Sequence, residues 1–200
     1  MMNLLMDSIE SPIGKLLIVS DGTNLCAAHF DADAQRLEVN LRKRFGEINL
    51  VWTDDPQSFS SCIRAYFAGK LHAVDDIPVA TGGTEFQRRV WMALREIPCG
   101  STCSYGALAK KIGNQAASRA VGLANGSNPI PIVLPCHRVI GADASLTGYG
   151  GGLDRKQWLL AHEGVVLNPG KPLHAAPVSS LPLSTDLAGV SVRRQAAKRR

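Results

Sequence analysis

Ser104-Tyr105-Gly106-Ala107-Leu108-Ala109-Lys110-Lys111-Ile112-Gly113-Asn114-Gln115-Ala116-Ala117-Ser118-Arg119-Ala120-Val121-Gly122-Leu123-Ala124-Asn125 holds two short helical patterns divided by a single glycine. Ser104 is a good N-cap residue, and Leu108, Ala109 and Ile112 supply an inward face before Gly113 stops the first helix. Asn114 is placed to cap a second helix over residues 115–125, with Ala116, Ala120, Leu123 and Ala124 as its inner stripe. Helix, glycine-containing turn and helix at this length predict a helix-turn-helix. The outer surface of the second helix is expected to carry Gln115, Ala117, Ser118, Val121 and Gly122, nearly all small, with Arg119 at its flank. A solvated helix would normally show Lys and Glu there. A smooth face with one guanidinium suits close approach to another surface, where the guanidinium can pair with phosphate or stack on a base. A helix buried on both sides is the competing reading.

Upstream, Thr84 and Gln87 form a capping-box pattern at the start of a helix whose buried stripe is Phe86, Val90, Leu94 and Ile97. Pro98 and Gly100 end it, and Thr81-Gly82-Gly83 before it is the natural linker. Residues 4–30 read as strands, with Leu4-Leu5-Met6 and the runs 15–19 and 25–30 broken by Ser11-Pro12-Ile13-Gly14 and Asp21-Gly22-Thr23. Helices are predicted over 33–45, with Leu37, Leu41 and Phe45 spaced by four, and over 58–68, with Phe59, Ile63 and Phe67 on one face. Strands with two helices predict that residues 1–82 form a small α/β or α+β scaffold domain, in which no residue stands out as catalytic.

Downstream, Asn128-Pro129-Ile130-Pro131-Ile132-Val133-Leu134-Pro135-Cys136-His137-Arg138-Val139 sets one cysteine between a proline and a histidine at the end of an apolar run. A free thiol with pKa near ~8.5 is only a few per cent ionised at pH 7, and a nearby imidazole is a simple way to activate it. A buried structural cysteine is the bland alternative. Asp154 is expected to cap a last helix packed through Trp158, Leu159 and Leu160 and ended by Gly164. Glu163 falls in its final turn, where the helix dipole disfavours a carboxylate, so it is either idle on the surface or held by a partner. Residues 165–200 lose this patterning, end in Val-Arg-Arg-Gln-Ala-Ala-Lys-Arg-Arg, and are expected to be a disordered basic tail.

Charge sharpens the division. Residues 1–83 carry 7 basic and 11 acidic side chains, residues 84–164 carry 9 and 5, and residues 165–200 carry 6 and 1. The segment holding Cys136 is positive and its N-terminal companion negative, which fits a polyanionic partner for the middle segment. Five cysteines without regular spacing do not make a disulfide framework, and Cys26-x-x-His29 and Cys99-x-x-x-Cys103 lack second pairs for zinc. No metal and no cofactor are expected. No apolar run approaches the ~18 residues of a membrane span, and no charged-then-apolar leader is visible. A soluble, cytoplasmic monomer that does not engage membranes is expected.

The segment 84–164 resembles the O6-alkylguanine-DNA alkyltransferases, most closely the bacterial Ogt-type members. The resemblance rests on Phe86-Gln87, Val90-Trp91, Ile97-Pro98, Ser104-Tyr105-Gly106, Arg119-Ala120-Val121-Gly122, Asn128-Pro129, Pro135-Cys136-His137-Arg138-Val139, Gly148-Tyr149, Gly151-Gly152 and Glu163, in consistent order. It implies a ribonuclease-H-like N-terminal domain, a helical DNA-binding and alkyltransferase domain, and alkylated double-stranded DNA as the partner. It also implies irreversible transfer from guanine O6 to Cys136, with His137 and Glu163 deprotonating the thiol through a water. Such a relay, lowering the cysteine pKa by ~2 units (roughly 2.7 kcal/mol), would make the thiolate the main species. By the same resemblance Arg119 fills the stack vacated by a flipped base, with Ala117 and Ser118 beside it on the minor-groove face. Tyr105 assists rotation and donates to the base, and Asn128 braces the reactive loop. Val139, Tyr149 and Gly150 form the guanine pocket. The chain departs from the pattern at Gln115, where many relatives have proline, at Gly150, where some have serine, and in its long basic tail. Two other classes compete: a damage-binding module without chemistry, which would lack the acceptor cysteine, and a cysteine hydrolase, for which Pro135 removes an amide donor beside the thiol.

Overall fold

The computed structural model describes residues 1–30, 34–166 and 192–194. β1 (Met2–Ile9) pairs antiparallel with β2 (Leu16–Ser20), which pairs antiparallel with β3 (Leu25–Phe30). α1 (Ala34–Phe45) then carries the chain back so that β4 (Ile48–Trp52) lies parallel to β1, the crossover that parallel pairing requires. β4 was not anticipated from the sequence. All five residues of β2 are buried, because it sits between neighbours with both faces covered.

The strand period of two sorts the core. Leu17 and Val19 join Leu4, Met6, Leu50, Leu37 and Leu41 in a cluster under α1. Leu16 and Ile18 point the other way, toward α2 (Phe59–Phe67), and their cluster runs without a break into the helical half through Val90, Trp91, Leu94, Leu134, Val139 and Leu159. The two halves thus share one apolar core. In α2 the buried positions are Phe59, Ser60, Ile63 and Tyr66, whereas Phe67, expected on the apolar face, is only partly buried.

After the linker, α3 (Glu85–Arg95) opens with the predicted capping box: Thr84 accepts from the Gln87 amide, and the Gln87 side chain accepts from the Thr84 amide. Gly83 has φ of +76°, and a Cβ there would lie 2.6 Å from the Trp91 ring, so the linker approaches α3 as only glycine allows. The two-residue strand β5 (Cys103–Ser104) leads into α4 (Tyr105–Lys111), capped by Ser104 as expected. The second helix of the pair differs from its prediction. Gln115–Ala117 form a 3-10 turn without a side-chain cap from Asn114, and α5 begins at Ser118 and runs to Gly126. The stripe is consequently rotated. Val121, Ala124 and Asn125 are buried, whereas Ala116, Ala120 and Leu123, expected inside, are exposed, Leu123 at 78%.

β6 (Val139–Ile140) pairs parallel with β5, fastening the chain after Cys136 to the start of α4. α6 (Leu153–His162) begins after Gly152, and Asp154 lies in its first turn instead of capping it. Three residues of the segment expected to be a disordered tail form β7 (Val192–Arg194), parallel to β4, giving the sheet order β3-β2-β1-β4-β7. The rest of that tail, and residues 31–33, lie outside the described residues. No described helix is long and apolar enough to cross a membrane.

Candidate active site

Cys136 opens a single 3-10 turn, Cys136–Arg138, at the end of the proline-rich loop and immediately before β6. Two asparagines following the inner stripe of α5 brace this loop. Asn128 donates to the Leu134 carbonyl at 2.7 Å and accepts from the Ile130 amide at 2.9 Å, while Asn125 donates to the Cys136 carbonyl at 3.2 Å. Ile132 is held at φ of +77°, a strained conformation for a β-branched residue that the surrounding contacts enforce.

On one side of the turn lies a closed ionic cluster. Oε1 of Glu163 accepts from His137 Nε2 at 2.8 Å, from the Tyr66 hydroxyl at 2.8 Å and from Arg138 Nη2 at 2.9 Å. Oε2 accepts from Arg138 Nε at 2.8 Å, and Arg138 Nη1 donates to the Ile97 carbonyl at 2.7 Å. Glu163, His137 and Arg138 are all buried. Burial alone would raise the Glu163 pKa, but the hydrogen bonds and charges of His137 and Arg138 hold its carboxyl well below the usual carboxylate range. The unfavourable place of Glu163 after α6 is thus offset by partners; it is not idle. Burial pushes His137 below its ordinary value despite Glu163, so the ring is neutral at pH 7. Because Nε2 faces a carboxylate, it carries the proton, leaving Nδ1 as a lone pair. Nδ1 is buried and has no hydrogen-bond partner among the described residues.

On the other side, Cys136 lies at one end of a cavity of about 560 Å³ between the two halves, lined on its own side by Asn125, Asn128, Tyr149 and Gly150 and on the other by β3 and α1, among them Phe30, Leu41 and Arg44. The loop forming its rim is tied down at several points. Tyr105 places its hydroxyl 3.1 Å from the Thr147 carbonyl and 3.3 Å from that of Gly148. Lys156, fully buried, donates to the carbonyls of Val139 at 2.6 Å and Thr147 at 2.7 Å, and Arg155 donates to those of Gly151 and Ile13, each at 2.8 Å. A Cβ on Gly151 would come within 2.8 Å of Tyr149 and 2.9 Å of Phe30, so this position has no room for a side chain. The Tyr149 hydroxyl is buried without a partner among the described residues.

Burial pushes the Cys136 thiol up to about 11, even though a hydrogen bond with Asn128 and the Lys156 charge pull it down. The expectation of a resting thiolate is therefore corrected: desolvation outweighs the stabilising groups, and the thiol is the main species at neutral pH. Burial likewise draws Lys156 down to about 8.

The structure brings Cys136, His137, Glu163, Asn128, Val139, Tyr149 and Gly150 into one region, with Tyr105 joining its rim. Arg119 and Ala120 lie exposed on the outer side of α5, with Ala117 and Ser118 half-buried at its start. Asn125, Lys156, Tyr66 and the role of Arg138 were missed. Their signal was helical phase: Lys156 precedes Leu159 and Leu160 by three and four, Asn125 follows Val121 by four, and Tyr66 follows Ile63 by three. A polar residue on a buried stripe is a candidate for a paired role.

Comparison with known proteins adds two domain matches. Residues 85–165 match the DNA binding domain of 6-O-methylguanine DNA methyltransferase, and residues 4–81 match its ribonuclease-like domain. The chain is 61% identical over 162 residues to the methylated-DNA–protein-cysteine methyltransferase of Mycolicibacterium paratuberculosis, covering 78% of this chain and 90% of that one. It is 47% identical over 172 residues to the protein of the same name from Shigella flexneri, covering 84% and 99%. The crystal structure of Mycobacterium tuberculosis OGT in complex with DNA superposes with a TM-score of 0.66 at 41% identity, over 80% of this chain and 92% of that one.

Proposed function

Because this chain belongs to the 6-O-methylguanine DNA methyltransferase family, we propose that it repairs DNA by moving an alkyl group from guanine O6 to its own Cys136, once per molecule. The observation that carries this reading is Cys136 at the wall of a cavity, followed directly by a neutral histidine whose Nε2 is held by a buried carboxylate. His137 Nδ1, a buried lone pair, takes the thiol proton through one intervening water. The sulfur attacks the alkyl carbon, the S–C bond forms as the C–O6 bond breaks, and guanine leaves with its charge on the ring, where the Tyr105 hydroxyl donates. Glu163 stabilises the imidazolium as it forms, which is the function of the third member of a nucleophile–base–orienter set. Burial raises the Cys136 pKa, so the sulfur is a thiol until its proton passes to His137. A thioether has no leaving group that water can displace under these conditions, so the acceptor is consumed.

The target atom lies inside a base-paired stack, so the nucleotide is extruded into the cavity at a cost of a few kcal/mol, less for a damaged pair. The exposed side of α5 supports this: Ala116, Ala120 and Gly126 leave room around Arg119, which fills the vacated stack, and Leu123 stands one turn further on as an exposed apolar contact. Backbone groups of Val139 and Gly150, with Tyr149, line the base, and Asn128 keeps the loop in register. The test is to incubate the protein with a duplex containing O6-methylguanine and map the modified peptide. One methyl per chain on Cys136 is expected; methyl on another cysteine, or repeated turnover, refutes the reading.

A further inference from the structure

The N-terminal half was expected to be scaffold, yet one of its side chains ends on the carboxylate of the cluster. Tyr66 in α2 is fully buried and its hydroxyl donates to Glu163 Oε1 at 2.8 Å. Its backbone carbonyl is held as well, 2.8 Å from His162 Nε2, and its ring meets the His162 ring edge-on with centroids 5.2 Å apart. Tyr66 is therefore fixed at both ends against the last turn of α6, and its hydroxyl has no freedom to choose another acceptor. The oxygen it reaches is the one His137 uses.

We propose that Tyr66 is a positioning residue for the transfer reaction: its hydroxyl shares Oε1 of Glu163 with His137 and thereby sets how strongly the carboxylate supports the imidazolium. The inference rests on the His137–Glu163 relay described above. A donor on a carboxylate oxygen withdraws charge from it. Removing that donor concentrates charge on the oxygen facing His137, making the ring easier to protonate. Burial, with the neighbouring Glu163 charge, raises the Tyr66 pKa, so the phenol remains a donor throughout the working range. The other titratable or charged groups around the pair are Arg138 beside it, Cys136, Tyr149 and Lys156 toward the cavity, Cys99 after α3, and His162 on α6.

The experiment is the pH dependence of single-turnover methyl transfer, whose acid limb reports protonation of His137. Tyr66→Phe keeps the ring and its packing and removes one hydroxyl. Its acid limb is expected to move to higher pH by about half a unit to one unit. Loss of packing alone would lower the plateau and leave the limb in place, and that result overturns the proposal, as does an unchanged profile. If Tyr66→Phe does not fold, 3-fluorotyrosine placed at position 66 in the full chain gives a stronger donor, and the limb should move to lower pH; no movement overturns the proposal. Glu163→Gln separates the two readings. Transfer by Glu163→Gln with the wild-type rate and limb rejects the relay itself. A slowing of at least tenfold in Glu163→Gln, with no limb shift in Tyr66→Phe, leaves the relay standing and rejects only the role of Tyr66.

Discussion

Two neighbourhoods meet at Cys136, and they are built on opposite principles. Toward Glu163 the carboxylate is saturated: its two oxygens accept four hydrogen bonds, and Arg138 also donates from Nη1 to a backbone carbonyl. Toward the cavity, the buried hydroxyl of Tyr149 has no partner among the described residues. His137 belongs to both neighbourhoods, with Nε2 in the saturated network and Nδ1 without a partner. Leaving a buried polar atom unpaired costs about 1–3 kcal/mol, so such atoms beside a reactive sulfur mark where a ligand or solvent completes the structure. The saturated side fixes geometry before the substrate arrives. On the proposed reading, the open side is finished by the substrate.

The sharpest way to break this comparison is Cys136→Ala. If the open side receives the base independently of the sulfur, this variant loses all methyl transfer while its affinity for duplex DNA stays within about twofold, about 0.4 kcal/mol. Radiolabel transfer and a filter-binding titration read the two quantities. A parallel collapse of binding would mean that the thiol itself builds the cavity.

The saturated side predicts a stability cost. Glu163→Ala leaves the guanidinium of Arg138 buried without its carboxylate, and breaking a buried pair in this way costs about 3–5 kcal/mol. Against a typical stability of about 5–15 kcal/mol this is a large fraction, and urea unfolding would show it as a lowered midpoint. A loss below about 1 kcal/mol would mean that the network is not the tight one described.

Much of this organisation was legible beforehand, and the gaps have physical causes. Caps and breakers gave the boundaries of α3 and α4, because Thr84, Gln87, Ser104 and Gly113 act locally. The face of α5 was misjudged because the 3-10 turn at Gln115–Ala117 delays the helix to Ser118, and a shift of start rotates every later side chain. Cys136, His137 and Glu163 were identified through a resemblance, since spacing alone left Glu163 undecided. Its partners Tyr66 and Arg138 approach from 97 and 25 residues away in sequence, and such long-range pairing leaves only a weak trace, a polar atom on an otherwise buried stripe. The thiol pKa was misjudged for a related reason: desolvation depends on the whole packed shell, not on neighbours in the chain.

A smaller effect is expected on the exposed side of α5, where DNA is proposed to bind. If Arg119 fills the vacated stack as proposed, Arg119→Ala should slow transfer from duplex DNA by about tenfold, equivalent to about 1.4 kcal/mol. Transfer from a free O6-alkylguanine base should change by less than about twofold, since no stack has to be filled. Equal slowing with both substrates would move Arg119 from the extrusion step to the chemistry.

The smallest effect lies in the pH dependence of folding, and its sign follows from the two shifts. His137 has a folded pKa below the ordinary value of 6.5, so the unfolded chain binds its proton first and stability falls as pH drops below about 6.5. Glu163 has a depressed folded pKa, so its contribution is complete above the ordinary value of 4.5 and declines as pH falls below it. Between these two values only His137, of the pair, changes its protonation on unfolding. One proton limits the slope to about 1.4 kcal/mol per pH unit. His137→Gln should therefore flatten the stability curve between pH 6.5 and 4.5 by no more than that amount and leave the steeper decline below 4.5, which urea titrations at closely spaced pH values can resolve. Equal slopes for the two proteins in the upper interval would show that His137 takes up its proton as readily in the folded chain as in the unfolded one. The saturated side would then hold the ring without keeping it neutral, and the lone pair on Nδ1 would not be available for the thiol proton at the lower end of that interval.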